Sequence, residues 1–270
     1  LEGVGALCTK AVSLHPREGN RGVRVWETPC GMLNSIGLQN SGVRSFLKDH
    51  LPIVRKSGLP FLVNLVMESE REVRECLSVL REAGGAIPAV ELNISCPNVD
   101  GDGMAWGISP ESAAKAVSIA RNEWSGALWV KLTPQSPDFE EVAKAAEGAG
   151  ADALVCGNTW LGMAMDVKKK RPAFQRVFAG LSGPAVFPLA LRTVWQAAGA
   201  VSIPIVGCGG VASWEDAAAM ILAGASAVEK GSAMFTDFDL PRKIAEGLAH
   251  FAAGEGMKSF RELVGIGRKQ

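Results

Sequence analysis

Cys96 sits in "SCPN" (95–98), directly after the apolar run "AVELNI" (89–94) and before the glycine-rich "VDGDG" (99–103). A core strand has no reason to end on Asn93, Cys96 and Asn98 unless polar groups are wanted at its end. Pro97 fixes the backbone behind the cysteine, and the two asparagines flank it. A thiol in that place can serve as a nucleophile or as a base, and these residues alone leave the choice open. Most free cysteines are inert core hydrophobes. This one follows a strand end beside a glycine-rich loop, a place where an exposed thiol is expected. His15, His50 and His250 are scattered along the chain and read as structural or surface groups, so nothing marks a Cys–His dyad. The chain has no tyrosine, which excludes a tyrosine acid or base.

Other residue types point to an anion. Lys10 and Lys131 each stand at or near the end of an apolar run, "GALCTK" (5–10) and "ALWVKL" (127–132). Lysine is rarely buried unpaired, so two at one rim predict an anionic ligand; snorkelling to solvent is the plainer alternative. "GLSGPA" (180–185), "VGCGG" (206–210) and "EKGSAMF" (229–235) carry glycines where strands give way to helices. Glycines there let backbone N–H groups approach a phosphate, and a helix N-terminus adds a favourable dipole. Each run alone fits an ordinary tight turn equally well; together they predict a phosphate site. The connection "ETPCGMLNSIGLQN" (27–40) places Asn34 and Asn40 beside Gly31 and Gly37. Its amides suit the edge of a planar, polar, uncharged ring. A plain surface loop is the alternative, although long loops in compact domains are usually functional.

These residues need elements to position them. Short apolar runs at 5–10, 60–66, 89–94, 127–132, 153–157, 203–207 and 226–231 read as strands. Longer amphipathic stretches at 70–84, 110–124, 138–149, 188–200, 214–224 and 238–253 read as helices. Ser109-Pro110-Glu111 and Ser136-Pro137-Asp138 look like helix starts, with proline and acids in the first turn. Near-continuous apolar strands alternating with helices predict a parallel sheet covered by helices. Lys10, Asn64, Asn93, Lys131, Asn158, Gly209 and Ser232 all fall at or near strand ends. In an open sheet they would spread along an edge; in a closed α/β barrel they converge on one mouth, where active sites are built. The expected fold is therefore a (β/α)8 TIM barrel, with residues 1–270 as one domain.

Composition narrows the partners. Apolar residues make up 47% of the chain, ample for a large core, and 28 basic residues balance 28 acidic ones. That balance argues against a nucleic acid. No apolar run reaches the ~18 residues that span a membrane. No signal peptide opens the chain. The six cysteines show no C-x-x-C pairing and read as reduced thiols of a cytoplasmic protein.

Taken in order, "CTKAVSLHPREGN", "ETPCGMLNSIGLQN", "NISCPNV", "GNTWLGMAMD", "GLSGPA", "VGCGGV" and "KGSAMF" resemble class 1 dihydroorotate dehydrogenases, most of all the class 1B catalytic subunits. The resemblance runs from near residue 5 to about residue 265. "SCPN" with "NSIGLQN" is specific; the glycine motifs are shared by many FMN barrels. The resemblance implies FMN-dependent oxidation of dihydroorotate to orotate in pyrimidine synthesis. Cys96 would take a proton from C5, and hydride would leave C6 for flavin N5. Lys10 would lie by flavin and substrate. Asn34, Ser35, Ile36, Gly37, Leu38, Asn93, Asn98, Asn158 and Thr159 would hold the pyrimidine ring. Lys10, Ala11, Asn64, Asn93, Lys131 and Gly157 would contact the flavin, with Gly183, Gly209, Gly210, Gly231 and Ser232 around its phosphate end. The resemblance also implies a homodimer core within a heterotetramer, whose second subunit carries FAD and an iron–sulfur centre and passes electrons to NAD. No metal is implied in this chain.

The sequence departs from the family at two places: Asp100 stands where relatives more often carry lysine, and "EKGS" (229–232) replaces a more usual "VGT". The chain also begins just before the lysine strand, so the first barrel strand is expected to precede Leu1. Strands 5–10 and 226–231 should then lie about two strand spacings apart, ~9.5 Å. Three rivals remain: a pyrimidine-reducing FMN barrel, a phosphate-sugar isomerase or lyase on the same fold, and a barrel subunit without catalysis. Bound flavin separates the oxidoreductases from the other two.

Overall fold

The computed structural model describes residues 2–95 and 106–269; Cys96, Asn98 and Asp100 lie outside them. The strands are β1 (Leu7–Cys8), β2 (Val25–Thr28), β3 (Gly31–Asn34), β4 (Phe61–Val66), β5 (Ala89–Asn93), β6 (Ala127–Leu132), β7 (Ala153–Cys156), β8 (Trp160–Met163), β9 (Met165–Asp166), β10 (Arg171–Pro172), β11 (Phe178–Ser182), β12 (Ile205–Cys208) and β13 (Ala227–Glu229). The α-helices are α1 (Val43–Ser45), α2 (Leu51–Lys56), α3 (Glu70–Arg81), α4 (Pro110–Glu123), α5 (Phe139–Gly148), α6 (Phe187–Ala200), α7 (Trp214–Leu222) and α8 (Leu240–Gly254).

Seven strands form one parallel sheet in the order β1-β4-β5-β6-β7-β12-β13. Side chains alternate across it. Val90, Leu92, Val130 and Leu132 join the apolar layer under the helices, while Glu91 and Lys131 meet in the interior. In a flat sheet the first and last of seven strands would lie about 29 Å apart, at ~4.8 Å per spacing. Here ligand atoms of Cys8 on β1, Glu91 on β5 and Glu229 on β13 lie within 4.8 Å of one another. The sheet is therefore curled into a barrel around these side chains. Among the described residues no ladder joins β1 to β13, so the chain does not form a closed seven-stranded barrel.

The helices follow local sequence. Ser109 caps α4 in a reciprocal capping box with Ser112, as its Ser-Pro-Glu start predicts. Ser136 does not start α5; Asp138 is its N-cap residue, and the Ser136 hydroxyl bonds Ile108 O instead. The strand expected over 5–10 shrinks to Leu7–Cys8, after which Val12 forms a bridge to Leu65.

The larger correction concerns 27–40. It is not simply a loop: β2 and β3 form a hairpin, and β3 pairs with β11, which pairs with β8. This antiparallel sheet, ordered β2-β3-β11-β8, is a flap over the mouth. Its strands were masked in the sequence by short length and by Gly31, Gly162 and Gly180. Those glycines permit close packing: a Cβ on Gly31 would lie 2.1 Å from Ser182 O.

Candidate active site

The C-terminal ends of the parallel strands open into one cleft with two lobes, about 430 and 460 Å³ in volume. The residues that line both lobes include Asn34, Lys131, Asn158, Glu229, Lys230 and Gly231 at their junction. Of the described residues that the resemblance assigned to the site, only Gly157 stays off the cleft walls. It is buried where the ends of β7 and β12 approach, and a Cβ there would overlap Cys208 O.

The first lobe is the glycine end. Gly183, Gly209, Gly210, Gly231 and Ser232 line it. Gly210 has φ +74°, and a Cβ on it would come within 2.6 Å of Phe187 N at the start of α6. Backbone that close to a helix N-terminus, in a conformation side chains resist, makes a cradle for a phosphate.

The second lobe is the amide end. Lys10, Ala11, Asn64, Asn93 and the run Asn34, Ser35, Ile36, Gly37 and Leu38 line it. The run is held rigidly. Asn20 Nδ2 donates to Ser35 O (3.1 Å) and Ser35 Oγ (2.9 Å), and Asn34 Nδ2 donates to Gly180 O (3.3 Å) on the flap. Asn40 lies behind the wall. Its Nδ2 donates to Leu38 O and Ser13 Oγ, both at 2.8 Å, and its Oδ1 accepts from Gly42 N at 2.9 Å. It is a clasp for the loop.

A second network aligns the amides at the ends of β5 and β7. Ser95 Oγ donates to Asn93 Oδ1 (2.6 Å), Asn158 Nδ2 donates to Ser95 Oγ, and Thr159 N donates to Asn158 Oδ1 (2.8 Å). Sequence reasoning passed over Ser95, although it is the first residue of "SCPN". The network consumes Asn93 Oδ1 and leaves Asn93 Nδ2 as the donor for the cleft.

Below the junction lies a charged cluster. Lys131 Nζ contacts Glu229 Oε2 at 2.6 Å and Glu91 Oε1 at 3.4 Å, and Asn64 Nδ2 also donates to Glu91 Oε1. Glu91 and Glu229 each bring a carboxylate oxygen within 4.8 Å of the other, and Glu91 Oε2 and Glu229 Oε1 are buried without a hydrogen-bond partner. Burial pushes the Glu91 carboxyl up, and Glu229 adds to this against the pull of Lys131. Burial opposes the charge of Glu229 too, but Lys131, with Glu91 and Cys208, holds it below the usual range. Of the two carboxyls, Glu91 is the one whose surroundings favour the protonated form. Burial also works against the Lys131 ammonium, but Cys208, Glu91 and Glu229 outweigh it and hold the group well above its ordinary value. Lys10 is lowered by burial. Lys230, which sequence reasoning did not single out, has a buried Nζ with no hydrogen-bond partner.

A parallel barrel whose mouth joins a phosphate cradle to an amide-lined lobe has the build of a cofactor-dependent α/β-barrel enzyme. The family model for dihydroorotate dehydrogenase matches residues 1–252, and the chain belongs to that family. It is 43% identical over 262 residues to the catalytic subunit of dihydroorotate dehydrogenase B (NAD(+)) of Bacteroides thetaiotaomicron, covering 97% of this chain and 86% of that one. To the subunit of the same name from Trichlorobacter lovleyi it is 45% identical over 265 residues, covering 98% and 87%. Among solved structures, a dihydroorotate dehydrogenase of Eimeria tenella, crystallised with ferulenol, superposes with a TM-score of 0.83 at 19% identity, covering 99% of this chain and 80% of that one. That likeness supports the barrel fold.

Proposed function

We propose that this chain is the catalytic subunit of an NAD-linked dihydroorotate dehydrogenase and oxidises dihydroorotate to orotate with FMN as its cofactor. One observation carries the reading: the described residues proposed for the ring and for the phosphate line two adjoining lobes at the strand ends. The fit to FMN rests on the glycine cradle and the uncompensated Lys230 ammonium at the junction. Gly183, Gly209, Gly210, Gly231 and Ser232 would hold the phosphate end. Lys10, Ala11, Asn64, Asn93 and Lys131 would contact the rest, with Gly157 supporting the wall beneath. FMN, when bound, supplies the two-electron acceptor for the hydride from C6.

The remaining chemistry belongs to the chain. Asn34 to Leu38, Asn93, Asn98, Asn158 and Thr159 fix the ring, so that its C5 faces Cys96. The Cys96 thiolate takes the C5 proton. As hydride departs from C6, the C5–H electron pair becomes the C5=C6 bond of orotate, and the thiol later returns its proton to solvent. A proton next to a carbonyl is acidic enough for a thiolate without a histidine partner. Lys10 lies in the same lobe, where it can face the substrate's carboxylate.

The 270 residues act as one barrel domain. Electrons leave through a second subunit bearing FAD and an iron–sulfur centre, arranged around a homodimer of this chain in the cytoplasm. Among the described residues no helix is long and apolar enough to cross a membrane.

The test is anaerobic. Dihydroorotate should bleach the flavin band of the FMN-loaded chain. Cys96→Ala should slow bleaching by ~10²–10⁴-fold while leaving flavin bound. Rapid bleaching in Cys96→Ala at neutral pH rejects the base, and a chain that takes up no flavin rejects the reading as a whole.

A further inference from the structure

Lys230 is the residue that the cleft does not explain. Its Nζ is buried and has no hydrogen-bond partner. It lines both lobes, so it stands at their junction. Among the described residues its charged neighbour is Asp237, whose carboxylate is already held by Lys243 at 2.6 Å. Burial holds Lys230 down, to about 8. Lys131 offers the opposite picture. It reaches the same junction, but Glu229 and Glu91 neutralise it from below. A buried ammonium is unfavourable unless an anion completes it. Among the described residues the junction thus presents one satisfied lysine, Lys131, and one that awaits a counter-charge, Lys230.

Two anionic groups of the cofactor are candidates to meet it, both resting on the FMN reading above. One is the phosphate, which is present in every redox state. The other is the ring system, which becomes anionic only on reduction. Position favours the ring. Four of the five cradle residues, Gly183, Gly209, Gly210 and Ser232, line the first lobe alone, whereas Lys230 borders both lobes, as does its neighbour Gly231. A ring system running from the cradle toward the amide end has to cross the junction.

We propose that Lys230 tunes the cofactor: its ammonium is the counter-charge for the reduced, anionic flavin ring, a task closed to Lys131 by Glu229 and Glu91. Glu229 and Lys230 are then one device. Glu229 ties up Lys131, and Lys230 supplies the cation in its place.

The experiment compares the FMN-loaded wild type, Lys230→Met and Lys230→Arg. Three quantities are read: the affinity for oxidised FMN, the two-electron midpoint potential, and the affinity for sulfite, whose flavin adduct places negative charge on the ring. Lys230→Met should lose about tenfold in affinity for reduced over oxidised flavin, a fall in potential of about 30 mV. Its sulfite affinity should fall by a similar factor, and Lys230→Arg should restore both. Equal weakening of both redox states, with an unchanged potential, would place Lys230 on the phosphate and overturn the proposal. Unchanged potential with unchanged FMN affinity overturns it as well. If the wild type binds no flavin, the FMN reading falls and this inference falls with it.

Discussion

Lys131 Nζ lies 2.6 Å from Glu229 Oε2, and the contact joins β6 to β13 across the barrel interior, where both side chains are largely buried. Taking such groups out of water is costly, and removal of one partner strands the others. Lys131→Met should therefore destabilise the chain by about 3 kcal/mol at pH 7. The loss should shrink at pH 5, where the orphaned carboxyls can take up protons. Urea unfolding at the two pH values checks this; equal losses at both would dissociate the lysine from the acids.

Glu91 gives stability a pH dependence of its own. Burial, aided by Glu229 and opposed by Lys131, raises it to about 8. Unfolded, it titrates near ~4.3. Between these values the folded chain holds a proton that the unfolded chain has lost. Its contribution is thus fully present below the unfolded value, declines as pH rises through the window and is gone above about pH 8. Glu91→Gln should flatten the fall in urea midpoint between pH 5 and 8. A mutant slope as steep as the wild type's would assign the dependence elsewhere.

The glycine cradle makes a paired prediction. Gly210→Ala forces a side chain onto φ +74° and against Phe187 N, so it should cost about 2 kcal/mol or more and release flavin. Gly231 lies on the same lobe with nothing within 4 Å of an added Cβ. Gly231→Ala should stay within about 0.5 kcal/mol of the wild type. Thermal melts and flavin fluorescence distinguish the two; similar losses in both variants would remove the steric argument.

Turnover should follow the ionisation of the Cys96 thiol. A base must be deprotonated, so the rate should rise with pH and level off once the thiol has ionised. Cys96→Ser should retain activity only at higher pH, because a hydroxyl is the weaker acid. A Cys96→Ser profile superposing on the wild type's would assign the pH limb to another group.

Reduction of NAD should need a second chain. The sequence has no G-x-G-x-x-G nicotinamide fingerprint after a strand. The FMN-loaded chain alone should reduce NAD negligibly, and adding the FAD and iron–sulfur subunit should restore it. Physiological NAD reduction by the isolated chain contradicts the two-subunit route.

The sequence was most legible where one strand could be read by itself. Polar residues at the ends of apolar runs, such as Asn64, Asn93 and Lys131, located the mouth because a buried strand tolerates them only there. The flap was not legible. Its strands β2, β3, β8 and β11 are short, glycine-bearing and stabilised by partners distant in sequence, so no local period marks them. Ser95 and Asn40 were missed or misassigned for a related reason. Their work is to orient other side chains, and a bracing hydrogen bond leaves no pattern in one dimension. Lys230 stood in plain view within "EKGS", but whether its ammonium has a partner is settled only in three dimensions.

The pairing of β3 with β11 also sets an order of assembly. Asn34 and Gly180, partners in that ladder, are 146 residues apart. At roughly 5–20 residues per second, about 7–30 s separate their emergence during synthesis. Until then the β2–β3 hairpin has no neighbouring strand, and an isolated hairpin is marginally stable in water. The amide-lined wall must therefore form after most of the barrel strands have been made, and a nascent chain shorter than about 180 residues can offer strands but no finished mouth. Substrate recognition is a property this polypeptide acquires late in its own synthesis.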